Sequence, residues 1–482
     1  MRINKLVLCY SCAILSVSQS QILTKFSSCL NEEGQCEKRK IAIIGGGIGG
    51  TSCAYWLRKS AGDSIEIDLY NYGKIGGRIA VVEVNGKFYE AGASILHPDN
   101  LYMKNWAEEF GYKKRDSPDD RMGIYNGVEF VFEESSWSFV NYAKIFWRYG
   151  LDPFRLNSHI KDMLSKFSKI YQLQDSGKAF ETMPELITAM SDEFSKQLNL
   201  TFRPFLKEEK GFHERFIDEL AAAVINCNYG QACEEVNAFV GSVGLAGAVP
   251  NLWAVNGGNF QIPQMLAEKS NSNIISAKVN HITINPDGKY TVQATDSNNN
   301  LFNSTNHYDA VVLALPLISN DLSLTIDGVD LAPHSGTYQK LIATFVRGKP
   351  RAKTFGKEDD HLPDSILVSE TRLLIKSLGK NFDVNWTKSS PEHDNVYKIF
   401  STQSIEEAQL KELFEEIKEK HEVHWFAYPK YKFDGVSKST SFKIADGIYH
   451  VNAIEWAASA MEMSAIGGRN VALLLLKDFD VQ

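Results

Sequence analysis

Apolar and polar residues follow a strand–helix–strand pattern between residues 41 and 70. Residues 41–44 (IAII) are a compact apolar run of the kind found in buried parallel strands, and a glycine-rich turn follows them. The next residues, TSCAYWLRKS, have helical periodicity, and residues 64–70 (SIEIDLY) have the pattern of a second strand. The pattern predicts a βαβ unit within an α/β fold.

The turn of this unit matches the dinucleotide-binding fingerprint G-x-G-x-x-G. Gly45 allows the tight turn, Gly47 lets the backbone approach a pyrophosphate, and Gly50 allows close packing of the helix. The helix N-terminus would face the phosphates with unpaired N–H groups. At the position where an acidic residue binds the ribose the chain has Asn71, with Asp68 as the alternative, so we expect weaker hydrogen bonds to the ribose.

Later segments resemble those of the FAD oxidoreductases in the glutathione-reductase-like superfamily. Gly76-Gly77-Arg78 resembles the segment that approaches pyrophosphate and flavin, and residues 89–94 (YEAGAS) resemble the one that passes the flavin ring. The resemblance implies FAD as cofactor. It also implies further cofactor contacts, which are Gly92, Ala93, Ser94, Val279, Tyr449, Asn452 and Glu455.

The same resemblance predicts how the domains are assembled. A Rossmann-type FAD-binding domain is built from three separated segments, residues 40–99, 251–318 and 443–482. Residues 273–284 are predicted to form two short strands of it, and residues 308–316 a buried strand that ends before a proline. Residues 100–250 and 319–442 are predicted to be insertions that form an α+β substrate domain.

The two insertions differ in their patterns. The first is rich in aromatic residues that either line a pocket or form plain core, the more common role: Phe130, Phe132, Trp137, Phe139 and Tyr142. The second contains residues 405–422, whose charges and apolar stripe predict a solvated helix.

The N-terminus has the pattern of a secretory signal. Residues 1–20 combine a basic end, an apolar run and small polar residues. Residues 21–39 would then form the N-terminal leader of the mature chain. If the chain enters the secretory pathway, the N-x-[ST] sequons at Asn199, Asn303 and Asn385 are predicted glycosylation sites. Cys29 with Cys36, and Cys227 with Cys233, could close small disulfide loops, although all the remaining cysteines could equally be reduced.

Composition excludes several classes of protein. Of the 482 residues, 44% are hydrophobic and 23% charged, an ordinary globular profile, and the formal charge of −8 gives no general attraction to nucleic acid. After the N-terminal run, no segment reaches the length that spans a membrane. The chain also lacks a G-x-S-x-G elbow and an H-E-x-x-H motif, and its C-x-x-C, Cys9 to Cys12, falls in the predicted signal, so hydrolase and zinc-site interpretations have no support.

Longer strings narrow the resemblance to one family. IAIIGGGIGGTSCAYWLR, VNGGNFQIPQ, WFAYPKY and IYHVNAIEWAASAMEMSAIGGRNVALL resemble the prenylcysteine oxidases over nearly the whole mature chain. The resemblance implies a lysosomal or secreted FAD enzyme that oxidises S-farnesyl- or S-geranylgeranyl-cysteine with O2. The expected products are the prenyl aldehyde, cysteine and hydrogen peroxide.

The catalytic residues cannot be read from these strings. His97 and Trp425 are candidates for the cavity wall, and plain packing is the more common role for such a histidine. Two alternatives stay open. One is a flavin oxidase of amines or other lipids, and the other is a prenyl carrier without redox chemistry, as in the Rab escort and GDP-dissociation-inhibitor proteins.

Overall fold

The computed structural model describes residues 38–118, 120–248, 251–358, 361–390, 395–432 and 440–480. Within these ranges the chain forms four β-sheets with helices packed on and between them. The predicted α/β class is confirmed. The predicted signal peptide, Cys29 and Cys36 lie outside the described residues.

The strands are numbered in chain order. They are β1 Arg39–Ile44, β2 Ile65–Tyr70, β3 Val81–Val84, β4 Lys87–Glu90, β5 Met122–Tyr125, β6 Phe130–Glu133, β7 Asn273–Ile275, β8 Ala277–Ile284, β9 Tyr290–Asp296, β10 Leu301–Asn303, β11 Ala310–Leu313, β12 Thr325–Ile326, β13 Tyr338–Pro350, β14 Ser365–Val368, β15 Ile375–Asn381, β16 Val396–Ser401, β17 Phe414–Pro429, β18 Lys443–Ala445 and β19 Ile448–His450.

The α-helices are numbered in the same way. They are α1 Ile48–Ala61, α2 Leu101–Glu109, α3 Ser138–Tyr149, α4 Asp152–Phe167, α5 Lys169–Asp175, α6 Met183–Met190, α7 Asp192–Leu198, α8 Phe202–Pro204, α9 Glu214–Phe216, α10 Ala222–Tyr229, α11 Ala238–Leu245, α12 Gln261–Lys269, α13 Glu407–Leu413 and α14 Met461–Asp478. Two π-helical turns, Phe205–Glu209 and Ile217–Ala221, and five 3-10 turns, Gly62–Ser64, Ala246–Ala248, Ala332–His334, Ala352–Phe355 and Val451–Trp456, complete the helical elements.

The six-stranded sheet carries the predicted βαβ unit. Its order is β18-β19-β11-β1-β2-β7, and all its neighbours pair in parallel except the edge strand β18. All four residues of β11 are buried, as expected of a strand covered on both faces. The strands of this sheet come from three separated parts of the chain, which confirms that the Rossmann-type domain is discontinuous.

The seven-stranded sheet unites the two insertions. Its order is β17-β13-β16-β15-β14-β5-β6, so β5 and β6 of the first insertion continue a sheet built by the second. The parallel pairing of β14 with β5 makes this junction. A four-stranded sheet, β10-β9-β8-β12, and the hairpin of β3 and β4 complete the strands. Residues 273–284 form two short strands, as predicted.

The helix predicted over residues 405–422 is wrong for most of its length. Only α13 is helical, and β17 begins at Phe414. This strand pairs antiparallel with β13, from Tyr338 opposite Pro429 to Pro350 opposite Phe414. β17 is an edge strand, and most of its charged side chains are exposed or half-buried. Charged side chains are common on edge strands. Long-range pairing therefore outweighed the helical pattern.

The last helix packs directly on the first. A Cβ on Gly468 of α14 would lie 2.2 Å from the Gly49 carbonyl oxygen, so the two backbones are in contact. Ser52 of α1 donates a hydrogen bond to the Ala465 carbonyl at 2.9 Å. Helices 48–61 and 461–478 thus cover the same face of the six-stranded sheet. No helix in the described ranges is long and apolar enough to cross a bilayer.

Candidate cofactor and active site

The glycine turn after β1 forms a cradle with one open side. Gly45 has φ +114°, and a Cβ there would lie 2.3 Å from the Ala314 carbonyl oxygen. A Cβ on Gly50 would lie 2.0 Å from the Gly45 carbonyl oxygen, whereas the nearest atom to a Cβ on Gly47 is 4.0 Å away. The first turn of α1 has no acidic residue and no side-chain cap. Its N–H groups therefore suit an anion, and a pyrophosphate fits this end of the helix.

The second glycine segment lies against the first. The Gly76 N–H donates to the Gly46 carbonyl at 2.9 Å, and a Cβ on Gly77 would lie 3.2 Å from the Gly47 Cα. Gly76 and Gly77 have φ values of +130° and +58°, which favour glycine. The structure therefore brings the two predicted glycine motifs together at the carboxyl end of β1.

Asn71 and Asp68, the two candidates for the ribose, differ in their surroundings. The Asn71 side-chain oxygen accepts from the Gly46 N–H at 2.9 Å, and its amide nitrogen donates to the Gly73 carbonyl at 2.9 Å. Asn71 thus lies beside the glycine turn. Asp68 is buried and accepts hydrogen bonds from three side chains, those of Asn273, Asn306 and Tyr308. Its carboxylate is therefore committed to the protein interior.

Arg78 belongs to a polar network that spans the chain. Its guanidinium pairs with the fully buried carboxylate of Glu455 and donates to the Ala427 carbonyl at 2.7 Å. Glu455 also accepts from the Asn452 side chain at 2.8 Å and from the Tyr338 hydroxyl at 3.2 Å. Burial would lower the pKa of Arg78, but the Glu455 carboxylate outweighs it and raises that pKa. Three predicted residues thus come together, and Tyr338 is a member that the sequence did not reveal.

Trp425 contacts the segment predicted to pass the flavin. A Cβ on Gly92 would lie 2.9 Å from Cζ2 of Trp425 and 3.2 Å from the Arg78 carbonyl oxygen. The next residue, Ala93, has φ +45°, a strained value for a residue with a side chain. Its carbonyl accepts from the Asn259 side chain at 2.8 Å, which helps to hold that conformation. The segment is therefore fixed between the Rossmann domain and the seven-stranded sheet.

Glu90 is buried behind this segment with the half-buried Lys398 beside it, and neither residue stands out in the sequence. Glu90 is 1% exposed, and Oε1 accepts from the Asn259 N–H at 2.8 Å. Oε2 has no hydrogen-bond partner in the described part of the chain. The Lys398 ammonium donates to the Glu90 carbonyl at 3.1 Å. Burial raises the pKa of Glu90 to about 7 and lowers that of Lys398 to about 8. In the sequence, these two residues are marked only by being a charged residue in a strand, β4 for Glu90 and β16 for Lys398.

The Glu90→Gln variant tests this burial. Because the pKa of Glu90 exceeds its usual value of 4.5, the folded protein holds a proton that the unfolded chain releases between pH 4.5 and about 7. The free energy of unfolding therefore falls as the pH rises, by about 3 kcal/mol for this group. The amide introduced by the substitution cannot titrate, so we expect urea unfolding at pH 4.5 and 7.5 to give the variant a relative gain of about that size.

Glu66→Gln, on β2 with a 48% exposed side chain, is the matched control and should follow the wild type within about 1 kcal/mol. A stability difference between Glu90→Gln and wild type that is the same at both pH values would show that folding does not raise the pKa of Glu90.

The remaining predicted residues lie apart from the glycine cradle or have other partners. His97 accepts a hydrogen bond from the Asp99 N–H on Nδ1 at 3.0 Å, so the imidazole stabilises the turn that carries it. Burial lowers the pKa of His97. Ser94 is half-buried beside Ala93. Val279 packs in the core between the four-stranded sheet and the Rossmann sheet.

Tyr449 points away from the glycine cradle. Its hydroxyl donates to Asp478 at the last residue of α14. The neighbouring Phe479 packs under Arg39 at the start of β1, whereas the glycine turn follows the other end of that strand. The placement of Tyr449 therefore argues against the predicted cofactor contact.

The five aromatic residues predicted in the first insertion divide between core and surface, and Phe130 packs against the core of the seven-stranded sheet. Phe132 is buried, but Trp137, Phe139 and Tyr142 are 66%, 70% and 76% exposed. The reason is that α3 attaches to the protein by the face that carries Ile145 and Arg148, and by its C-terminal end at Tyr149, which is 3% exposed. The aromatic pattern correctly indicated an apolar face, but it did not show whether that face is buried against the rest of the protein.

Cys227, Cys233 and the three sequon asparagines lie in the described residues. Cys227 and Cys233 are free thiols, so a disulfide between them is wrong. Asn199, Asn303 and Asn385 are all exposed, as acceptors of glycans must be. Their glycosylation stays a prediction.

Most of this chain matches known protein families. Residues 132–482 match the model of the prenylcysteine lyase family, and residues 43–110 match an NAD(P)-binding Rossmann-like domain. Prenylcysteine oxidase 1 of Mus musculus is 36% identical, covering 94% of this chain and 92% of its own length. The Homo sapiens protein of that name is 38% identical over 90% and 88%.

Comparison with solved structures supports the fold. A wild-type putrescine oxidase bound to putrescine superposes with a TM-score of 0.58 at 15% identity, covering 91% of this chain and 99% of that one. At this identity the similarity supports a shared architecture alone, one that extends over both the Rossmann sheet and the insertions.

Proposed function

Because this chain belongs to the prenylcysteine lyase family, we propose that it oxidises the thioether of S-prenylcysteines with FAD as its cofactor. The prenylcysteine, O2 and water give the prenyl aldehyde, cysteine and hydrogen peroxide. The carbon between sulfur and the double bond is oxidised by two electrons, its C–S bond breaks, and O2 is reduced to peroxide.

The cradle at the carboxyl end of β1 is the observation that carries this proposal. Gly45, Gly47 and Gly50 leave backbone N–H groups and open space where a pyrophosphate fits, and Gly76 and Gly77 adjoin them. Asn71, which is bonded to the Gly46 N–H, would be the side chain beside this turn that holds the ribose. FAD bound here supplies a two-electron acceptor for the carbon next to sulfur.

The side chains near the cradle serve to position substrate and exclude water. Trp425 and the 89–94 segment pack together, and the Arg78–Glu455 pair lies beside them. Hydride loss leaves a cation that sulfur and the allylic double bond both stabilise, so no strong base is required. This agrees with a site whose best-placed side chains are an aromatic ring and a paired arginine.

Anaerobic mixing of the purified protein with S-farnesylcysteine tests the function. We expect the visible flavin absorbance to bleach, and to return with one peroxide per turnover when air is admitted. A yellow protein that does not bleach would overturn the thioether reaction and favour amine or other lipid substrates. A colourless protein that binds the ligand would favour a carrier.

We also propose that the protein enters the secretory pathway and resides in the lysosome or outside the cell. The N-terminal pattern and the exposed positions of Asn199, Asn303 and Asn385 support this. Protein secreted from animal cells is expected to lose mass on treatment with an N-glycosidase. Replacing the three asparagines by glutamine should remove that loss, and a wild-type protein of unchanged mass would contradict the prediction.

A further inference from the structure

A cavity of about 250 Å³ is lined by residues of α1, α2, α5 and α14. Four aromatic side chains form much of its wall, and they are Trp56, Tyr102, Trp106 and Tyr171. We call it the aromatic cavity. Pockets that hold drug-sized molecules begin at about 300 Å³. The aromatic cavity therefore suits a smaller molecule, one with a single ring.

The aromatic wall is fixed in place by a buried carboxylate behind it. Glu462 is 2% exposed and accepts hydrogen bonds from the Tyr102 N–H at 2.7 Å and the Tyr171 hydroxyl at 2.8 Å. The Tyr102 hydroxyl donates to the Gln174 side chain at 2.6 Å, and the rings of Tyr102 and Tyr171 pack edge to face. The cavity is therefore preformed, so a ligand would lose little free energy in ordering it.

Two buried N–H groups on the wall of the aromatic cavity have no acceptor. Within the described ranges, neither Nε1 of Trp56 nor Nε of Arg469 has a hydrogen-bond partner. Arg469 is 8% exposed, and its guanidinium carbon lies 3.9 Å from the centre of the Trp56 ring. The two side chains are thus stacked on each other. Because a buried N–H without an acceptor is unfavourable, a ligand that brings an acceptor to this place would bind favourably.

The ion pair of Arg469 leaves one edge of its guanidinium unused. Nη1 donates to Asp175 at 2.6 Å and to the Tyr102 hydroxyl at 2.8 Å. Nε and Nη2 form the other edge, and neither donates a hydrogen bond to any residue that the structure describes. Two adjacent N–H groups of this kind hold a carboxylate by two parallel hydrogen bonds. Arg469 can therefore bind a second carboxylate besides Asp175.

The remaining charges of the aromatic cavity favour an anion over a cation. The Lys59 ammonium lies 5.0 Å from the centre of the Trp56 ring and donates to the Tyr55 hydroxyl at 3.4 Å, with no ion pair to a described carboxylate. The Glu109 carboxylate on the wall accepts from that same hydroxyl at 2.8 Å. Aromatic rings also attract cations, but a cation here would be repelled by Lys59 and Arg469.

We infer that the aromatic cavity binds a small aromatic carboxylate. The ring of the ligand packs among the four aromatic side chains, and its carboxylate accepts hydrogen bonds from the Nε–Nη2 edge of Arg469. The Trp56 N–H is the further donor for the bound ligand. None of the lining residues belongs to the glycine cradle or to the 89–94 segment. The site is therefore separate from the proposed FAD site, and the inference does not depend on the proposed function.

Isothermal titration of the flavin-containing protein with benzoate tests the inference. We expect one benzoate to bind per chain, with a dissociation constant below about 1 mM. Benzamide has the same ring without the charge, and benzylamine has the opposite charge. Both should bind at least about tenfold more weakly than benzoate.

Two variants locate the bound benzoate. Trp56→Phe removes the indole N–H and keeps a ring, whereas Arg469→Lys keeps the charge and removes the Nε–Nη2 edge. Each should weaken binding about tenfold. Trp147→Phe is the matched control, because this residue is 91% exposed on α3, and it should bind as wild type.

Three results would overturn the inference. The first is wild-type protein that shows no saturable binding of benzoate. The second is tighter binding of benzylamine than of benzoate, because the cavity would then be a cation site. The third is benzoate binding that neither Trp56→Phe nor Arg469→Lys weakens, because the ligand would then lie elsewhere. None of these measurements involves turnover, so failure of the thioether reaction stays distinguishable.

Discussion

The Gly50→Ala variant is expected to purify without flavin and with a free energy of unfolding lowered by about 3 kcal/mol. The added Cβ would lie 2.0 Å from the Gly45 carbonyl oxygen and 3.0 Å from the Ala314 Cβ. Gly45 and Ala314 directly follow β1 and β11 of the Rossmann sheet, so α1 would have to move away from β1. Thermal unfolding and the ratio of absorbance at 450 to 280 nm measure the two effects.

Gly47→Ala is the comparison that separates folding from binding. Its Cβ has no neighbour closer than 4.0 Å, so we expect nearly wild-type stability without cofactor. Flavin content should nevertheless fall sharply, because the fingerprint needs the backbone at this glycine to approach the pyrophosphate. If both variants bind flavin as wild type does, the cradle is not the FAD site.

The parts of the fold that the sequence predicted are those with strong local patterns. β1, α1 and β2 combine a buried apolar run, a glycine turn and helical periodicity within about thirty residues, so local and long-range preferences agree. Residues 414–429 illustrate the opposite case. Up to residue 422 their charges and apolar stripe predict a helix, and only pairing with β13, some 80 residues earlier, makes them a strand.

The site divides in the same way. The glycines of the cradle were predictable, because each is required by the backbone geometry of its own turn. Partners distant in the chain were not. Glu455 lies 377 residues after Arg78, and Tyr338 and Lys398 stand in strands whose pattern gives no sign of which side chain meets the site. The exposed face of α3 was predicted as core for a related reason. An apolar stripe in the sequence does not show which element, if any, packs on it.

The Arg78–Glu455 pair is expected to couple two separated segments of the Rossmann domain, residues 40–99 and 443–482, strongly. Glu455 is fully buried, whereas the Arg78 side chain is 31% exposed. Removing the arginine leaves a carboxylate that cannot reach water, so Arg78→Met should lower the free energy of unfolding by about 3 kcal/mol. Glu455→Gln should cost less, because the arginine left behind can turn towards solvent.

A double-mutant cycle isolates this interaction from the loss of each side chain alone. The Arg78→Met/Glu455→Gln variant removes both charges together, so its loss should be smaller than the sum of the single losses by about 2 kcal/mol. Urea unfolding of the four proteins at one pH gives the coupling energy directly. Losses that simply add would mean that the pair contributes no net attraction. Glu455 would then be held by Asn452 and Tyr338, which donate to it at 2.8 and 3.2 Å.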